Sequence, residues 1–313
     1  MKNIIGYIRT FLKDYFHLWF YLTTAFFLAG CVFLNYYFDI DDQFFDQFNG
    51  KPTDWPVMAL LEAFPYLVTC FFLYAFSLKR DWLTSKDFWI RFLIGFGILG
   101  FSRGFYYQYF LFTDWDQVDY YFLRKSLRWA STLISMVLPL IVVNLLMEKG
   151  EDRNLYGLTR KHFDWKPYAM LLLITSFFLA IGSFLGEIQS YYPRYTKSGG
   201  SAFAADNGIS EWISVLFYEI CYGSSFISVE IIFRGYLVMA FSRFLGGYAV
   251  VAMVTSYCFL HFGKPLGEAI SSIFGGYVLG IISYYTRNVW GGIWIHMGVA
   301  WLMELFAYLQ GVY

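Results

Sequence analysis

The stretch SVEIIFRGYL, Ser228–Leu237, places two opposite charges inside an apolar run. Glu230 and Arg234 are four residues apart, so on a helix they share a face and can form an ion pair. A charge at membrane depth is costly, and a retained one is usually a functional group or half of a buried pair. The stretch therefore predicts a membrane helix and leaves two interpretations of Glu230 open, a catalytic carboxylate or a structural ion pair.

The composition around this stretch is that of a membrane protein. The chain has 313 residues, of which 58% are hydrophobic and 15% are charged, whereas a soluble domain is about 25% charged. Long apolar runs account for the excess and predict an all-α, polytopic transmembrane helical bundle. Basic and acidic residues balance at 23 each, and no basic cluster is interleaved with aromatics, so we expect no nucleic-acid partner.

Apolar runs of about 20 residues predict about nine membrane spans. They lie near residues 15–38, 57–78, 88–112, 126–147, 167–188, 212–245, 247–263, 267–286 and 289–312. The run 212–245 is too long for one straight span, so it tilts, extends past the bilayer, or breaks near Gly223–Ser225.

The loops suggest an orientation. Lysine and arginine concentrate in the N-terminal segment and in the loops near 79–87 and 148–166, whereas the alternate loops 39–56 and 189–211 carry few. Because basic loops stay on the cytoplasmic side, we expect a cytoplasmic N-terminus. The first residues form an amphipathic pattern ahead of a full-length span, and we expect a retained helix there rather than a signal peptide.

Polar residues that could carry chemistry cluster after residue 200. His261 ends a short apolar run, and His296 lies inside the last one. With Glu230, these two imidazoles could hold a divalent metal such as zinc with an open water position, or activate water without a metal. Spacing does not separate the two possibilities, and it gives no certain cofactor.

Other intramembrane charges have weaker claims to function. Glu219 lies eleven residues before Glu230, roughly on the same face of a continuous helix, and Glu304 lies eight residues after His296. For Glu62, Arg91 and Arg103 we expect snorkelling or structural pairing.

Three segments in order resemble the CPBP family of CAAX-type and bacteriocin-processing intramembrane endopeptidases. They are VEIIFRG at Val229–Gly235, YCFLH at Tyr257–His261, and GGYVLGIISYYTRNVWGGIWIHMGVA at Gly275–Ala300. The resemblance covers roughly residues 210–305. It implies a CPBP-like protease core within 201–313, preceded by an N-terminal transmembrane region, 1–200, of about five spans and no recognised family.

The resemblance also assigns site residues and exposes three departures, two of which remove groups implied to act in the chemistry. The family motif Glu-Glu-x-x-x-Arg matches Glu230 and Arg234, but its first Glu, the implied base, falls on Val229. Phe-x-x-x-His matches His261, with a tyrosine in place of the Phe. In His-x-x-x-Asn, His296 matches and the Asn falls on Ala300.

These departures favour one function over another. Valine accepts no proton and alanine donates no hydrogen bond, so we expect a non-catalytic scaffold or partner-binding subunit with a degenerate site. The alternative is an active intramembrane endopeptidase with an atypical site. The expected partners are membrane lipid and a membrane-protein or lipidated-peptide partner, and the resemblance suggests a bacterial inner membrane.

Overall fold

The computed structural model describes residues 2–48, 51, 53–105, 109–159 and 163–311. Within these ranges the chain is helical and contains no strand, which confirms the predicted all-α fold. The α-helices are α1 Lys2–Tyr15, α2 Leu18–Phe38, α3 Asp54–Ala75, α4 Lys86–Arg103, α5 Gln117–Ala130, α6 Leu138–Met147, α7 Lys166–Gly182, α8 Gly186–Tyr191, α9 Gly200–Asp206, α10 Glu211–Glu230, α11 Ser242–Leu245, α12 Tyr248–Phe259, α13 Leu266–Thr286 and α14 Trp290–Gly311. The same ranges contain three π-helical segments, at Asp41–Phe45, Leu133–Val137 and Ile231–Ala240.

Several of these helices are long and apolar enough to cross a bilayer, as an integral membrane protein requires. In the described ranges there are six, or seven if the bent pair Lys166–Gly182 and Gly186–Asp206 counts as one span. The predicted count of nine is not confirmed. One of the remaining predicted spans, 247–263, corresponds to α12, whose 12 residues reach only about 18 Å. The other, 88–112, corresponds to α4. The end of that predicted span includes residues 106–108, which lie outside the described ranges.

The long run that contains Glu230 is one helix, Glu211–Leu245, of 35 residues. The chain is helical through Gly223–Ser225, so the break that we considered there does not occur. The helix instead changes its winding immediately after Glu230, where ten consecutive residues form the π segment Ile231–Ala240. Long π segments are rare and are often found at functional sites.

The chain folds into two compact units that are interleaved in sequence. Unit 1 comprises Met1–Gly104, Pro139–Phe163 and Glu230–Trp290, and unit 2 comprises Phe105–Leu138, Asp164–Val229 and Gly291–Tyr313. The predicted division at residue 200 concerns sequence families and stays a prediction.

The π segment lies at the core of unit 1. All ten of its residues are buried. The Tyr66 hydroxyl donates to the Leu237 carbonyl at 3.0 Å, and the Tyr236 hydroxyl donates to the Arg91 carbonyl at 2.8 Å. A Cβ on Gly235 would lie 2.4 Å from the Tyr156 carbonyl oxygen, so only glycine allows this approach. These contacts fix the helix face that carries Arg234.

Buried charges in the first part of unit 1 are paired, as expected. Arg91 forms ion pairs with Asp87, at 3.0 Å, and with Glu148. Arg103 approaches the fully buried Glu62 at 3.4 Å. The interpretation of these groups as structural pairs is therefore confirmed.

Unit 2 holds a chain segment that turns back after α7. The two helical stretches on either side of residues 183–185 meet at 94°. The returning segment, 186–206, packs through the Phe203 ring, which stacks on Phe122 with centroids 4.5 Å apart. Phe122 belongs to a buried cluster with Tyr195, Tyr218, Tyr222, Phe226 and Ala300.

Candidate active site

Glu230 and Arg234 form the predicted ion pair. Arg234 Nη1 lies 3.1 Å from Glu230 Oε1, and the two side chains are 1% and 0% exposed. Both occupy one helix face at the start of the π segment, among buried aliphatic and aromatic residues. A buried carboxylate in such surroundings requires a cation beside it, because the apolar environment solvates neither charge.

Tyr257 completes the surroundings of the guanidinium. The Arg234 Cζ lies 4.0 Å from the centroid of the Tyr257 ring, and that ring also packs on Phe233 at 5.1 Å. A desolvated cation over an aromatic face contributes about 2 kcal/mol. Arg234 thus contacts both the Glu230 carboxylate and the Tyr257 ring.

His261 lies one helical turn after Tyr257. Its Nδ1 is 2.8 Å from the Tyr257 carbonyl oxygen, and the two rings meet edge to face at 4.6 Å. Because a carbonyl only accepts, Nδ1 donates this hydrogen bond. Tyr36 fixes the following loop by donating to the Lys264 carbonyl at 2.7 Å.

Unit 2 contains His296 and the two positions where a chemical group of the family motif is replaced, Val229 and Ala300. The His296 ring is half-buried and packs on Phe226 with centroids 4.4 Å apart. Ala300 is 4% exposed and lies within the aromatic cluster of Tyr218, Tyr222 and Phe226. The position where the family has an amide is therefore lined by aromatic rings.

The structure brings Glu230, Arg234 and His261 into unit 1, with Tyr257 in contact with both Arg234 and His261. His296 belongs to unit 2. A catalytic zinc needs three protein ligands, and among the described residues no group of three or more His, Cys, Asp or Glu side chains could hold a metal. The trio of Glu230, His261 and His296 stays a prediction.

Sequence reasoning missed the role of Tyr257. The residue was visible only as a departure from a family phenylalanine. The replacement of phenylalanine by tyrosine was the available signal in the sequence. A tyrosine ring keeps the shape of phenylalanine and adds a hydroxyl, which suits a site that also holds a guanidinium.

Residues 212–302 match the family model of Rce1-like proteins, described as type II CAAX prenyl endopeptidases. The resemblance inferred from the three motifs is thereby confirmed. The Rce1-like region contains all four motif residues, Val229 and Ala300, and it lies within the predicted core 201–313. No curated protein and no solved structure matches the chain.

Proposed function

We propose that this protein is a non-catalytic membrane member of the Rce1-like family that binds a membrane protein or a lipidated peptide. The observation that carries the proposal is the environment of Ala300, which is buried against Tyr218, Tyr222 and Phe226. An oxyanion donor is absent from that position, and aromatic packing replaces it. Loss of one such donor reduces turnover about 10²–10³-fold.

The first motif supports the same proposal. Val229, in place of the implied base, accepts no proton, and loss of a general base reduces turnover about 10²–10⁴-fold. Glu230 does not replace it easily, because its carboxylate is held by Arg234 at 3.1 Å.

The partner follows from the same features. The description of the matching family, type II CAAX prenyl endopeptidase, refers to a prenylated peptide. In this chain the polar groups of the motifs lie within apolar helices. We infer that the protein retains recognition of such a ligand, or of a membrane partner, in a lipid bilayer. The distribution of basic loops supports a cytoplasmic N-terminus, and the resemblance supports a bacterial inner membrane.

One observation favours the alternative of an atypical endopeptidase. The Tyr257 phenol adds a proton donor next to His261 and Arg234. In that case His261 and Tyr257 would share the proton transfers while Glu230 and Arg234 orient the site.

The two functions differ in what happens to a prenylated peptide with a CAAX end. The full-length protein in detergent is incubated with it, and cleavage is measured by mass spectrometry. We expect the wild type to cleave no faster than His261→Ala. The variant Val229→Glu/Ala300→Asn restores both family groups, and we expect it to gain at least about tenfold in cleavage.

A matched control adds His261→Ala to the restored variant and is expected to lose that gain. Wild-type cleavage that disappears in both His261→Ala and His296→Ala, at unchanged protein level, would refute the non-catalytic proposal.

A further inference from the structure

The first helix, α1, meets the ends of two membrane spans of unit 1. Two residues separate it from the start of α2, and the second of them, His17, has extended backbone angles (φ −131°, ψ 111°), so the helix breaks there. Tyr7 stacks on Tyr285, in the last turn of α13, with ring centroids 5.3 Å apart. Since both α2 and α13 are long and apolar enough to cross a bilayer, α1 lies where the hydrocarbon layer ends.

A third span end lies beside the C-terminal end of α1. Lys79 follows α3, which is also long enough to span and ends at Ala75. A Cβ on Gly246 would lie 3.3 Å from the Tyr15 ring and 3.7 Å from Lys79 Cε, so both side chains lie against the same glycine. Three spans therefore place α1 and a basic loop at one membrane surface.

One face of α1 packs on unit 1 through aromatic rings. Phe11 is fully buried, and its ring centroid lies 5.7 Å from that of Tyr277 and 6.1 Å from that of Tyr284. The Tyr15 and Tyr284 hydroxyls are hydrogen-bonded at 2.8 Å. These contacts fix the rotation of α1 about its axis, so they determine which side chains point away from unit 1.

The exposed face of α1 combines apolar and basic side chains. Ile5 and Leu12 are 43% and 39% exposed, and Arg9 and Lys13 are exposed as well. On a helix of 3.6 residues per turn these four fall within an arc of about 100°, and Asp14 lies nearly opposite Leu12. Such a face suits the boundary between water and lipid, where apolar side chains enter the acyl region and basic ones reach the headgroups.

We propose that α1 lies in the headgroup layer and binds anionic phospholipid headgroups through Arg9 and Lys13, with Lys79 beside it. The apolar side chains suit any phospholipid, whereas two cations one helical turn apart select a negative headgroup. Each Lys or Arg close to an anionic membrane surface increases binding about fivefold. The preferred ligand is therefore an anionic lipid such as phosphatidylglycerol, and a zwitterionic lipid binds more weakly.

This lipid site is separate from the non-catalytic function, because α1 lies outside the matched residues 212–302 and carries no motif residue. Failure of one therefore leaves the other intact.

Lipid competition on the full-length protein tests the site. Delipidated protein in a non-ionic detergent receives equal amounts of phosphatidylglycerol and phosphatidylcholine with the same acyl chains, and native mass spectrometry counts the bound molecules of each. We expect the wild type to prefer phosphatidylglycerol about tenfold or more, and Arg9→Gln/Lys13→Gln to lose about tenfold of that preference. Raising the salt concentration to about 1 M should also reduce the wild-type preference, because salt screens exposed charges.

Two matched variants show whether charge at this position is responsible. Arg9→Lys/Lys13→Arg keeps both charges and should keep the preference. Lys51→Gln/Lys125→Gln removes two exposed charges elsewhere and should also keep it. Equal binding of the two lipids by the wild type, or a preference that survives in Arg9→Gln/Lys13→Gln, would overturn the proposal.

Inorganic phosphate distinguishes a lipid site from a site for a free anion. Added at matched ionic strength, it should leave the bound phosphatidylglycerol unchanged, because Ile5 and Leu12 contribute apolar contacts that a free ion lacks. Displacement of the lipid by phosphate would show that α1 binds a free anion and would refute the assignment to a membrane lipid.

Discussion

Two buried glutamates, Glu230 and Glu304, show different solutions to the same problem. Glu230 is paired with a guanidinium of its own helix, four residues away, and the ring of Tyr257 lies against that guanidinium. Glu304 instead accepts the backbone N–H groups of Arg194 and Tyr195, at 2.7 and 3.2 Å. An apolar interior accepts a carboxyl group either beside a cation or with its oxygens hydrogen-bonded.

The difference shows that a buried charged residue is not necessarily a reactive one. The pair of Glu230 and Arg234 is retained from the family motif, yet it needs no reaction to explain its presence, because each charge compensates the other. Glu304 belongs to no motif, yet two backbone N–H groups hold its carboxyl group. A buried acid is therefore not by itself a sign of catalysis.

The largest effect is expected from breaking the opposite-charge pair. Arg234→Gln leaves Glu230 buried without a cation and should lower the free energy of unfolding by about 3–5 kcal/mol. The neutral double variant Glu230→Gln/Arg234→Met should lose less, since no lone charge remains. Unfolding in mixed micelles measures both, and equal losses would show that the pair is not coupled.

The next effect concerns the carboxyl group of Glu304. Glu304→Gln replaces one acceptor oxygen with a donor, so one of the backbone N–H groups of Arg194 and Tyr195 loses its partner. We expect a loss of about 1–3 kcal/mol. Glu211, which is exposed and accepts from the Tyr195 hydroxyl at 3.4 Å, is the matched control, and Glu211→Gln should cost less than about 0.5 kcal/mol.

The same unfolding measurement compares the two variants. Equal losses from Glu304→Gln and Glu211→Gln would show that the Glu304 carboxyl group does not hold the backbone of Arg194 and Tyr195.

Tyr257 offers a smaller test of the cation site. Tyr257→Phe keeps the ring beneath Arg234 and should cost at most about 1 kcal/mol, whereas Tyr257→Leu removes the aromatic face and should cost about 2–4 kcal/mol. Equal stability of the two variants would mean that the ring does not hold the guanidinium. A drop in any peptide cleavage by Tyr257→Phe alone would favour the atypical endopeptidase.

Local patterns in the sequence were sufficient to predict part of this molecule. The all-helical fold and the pairing of Glu230 with Arg234 follow from apolar runs and from four-residue spacing. The three motif segments were sufficient to identify the family region.

Contacts between distant segments were beyond that reasoning. Glu304 is far in sequence from Arg194 and Tyr195, whose backbone it accepts, and helical periodicity gives the face of a residue but not its neighbour. The π segment after Glu230 was also unforeseen, because no residue type marks it. The count of nine spans is not confirmed, because some apolar runs, such as the one that forms α12, are short as helices.

Asp41, a carboxyl group near both a cation and other carboxylates, should give the smallest effect. It lies outside the spans, and burial raises the pKa of its carboxyl; the Arg103 guanidinium opposes this shift, while Asp46, Asp42 and Asp39 add to it. Because the folded protein holds the proton more tightly than the unfolded chain, the stability contributed by protonated Asp41 is lost as pH rises through the folded-state pKa. Asp41→Asn removes this loss, so its melting temperature relative to wild type should be about 1–3 °C higher at pH ~7 than at pH ~4. Asp42→Asn, at an exposed neighbour, should show a smaller difference between the two pH values. A difference for Asp41→Asn that is no larger than that for Asp42→Asn, or of opposite sign, would mean that the Arg103 guanidinium dominates the environment of Asp41.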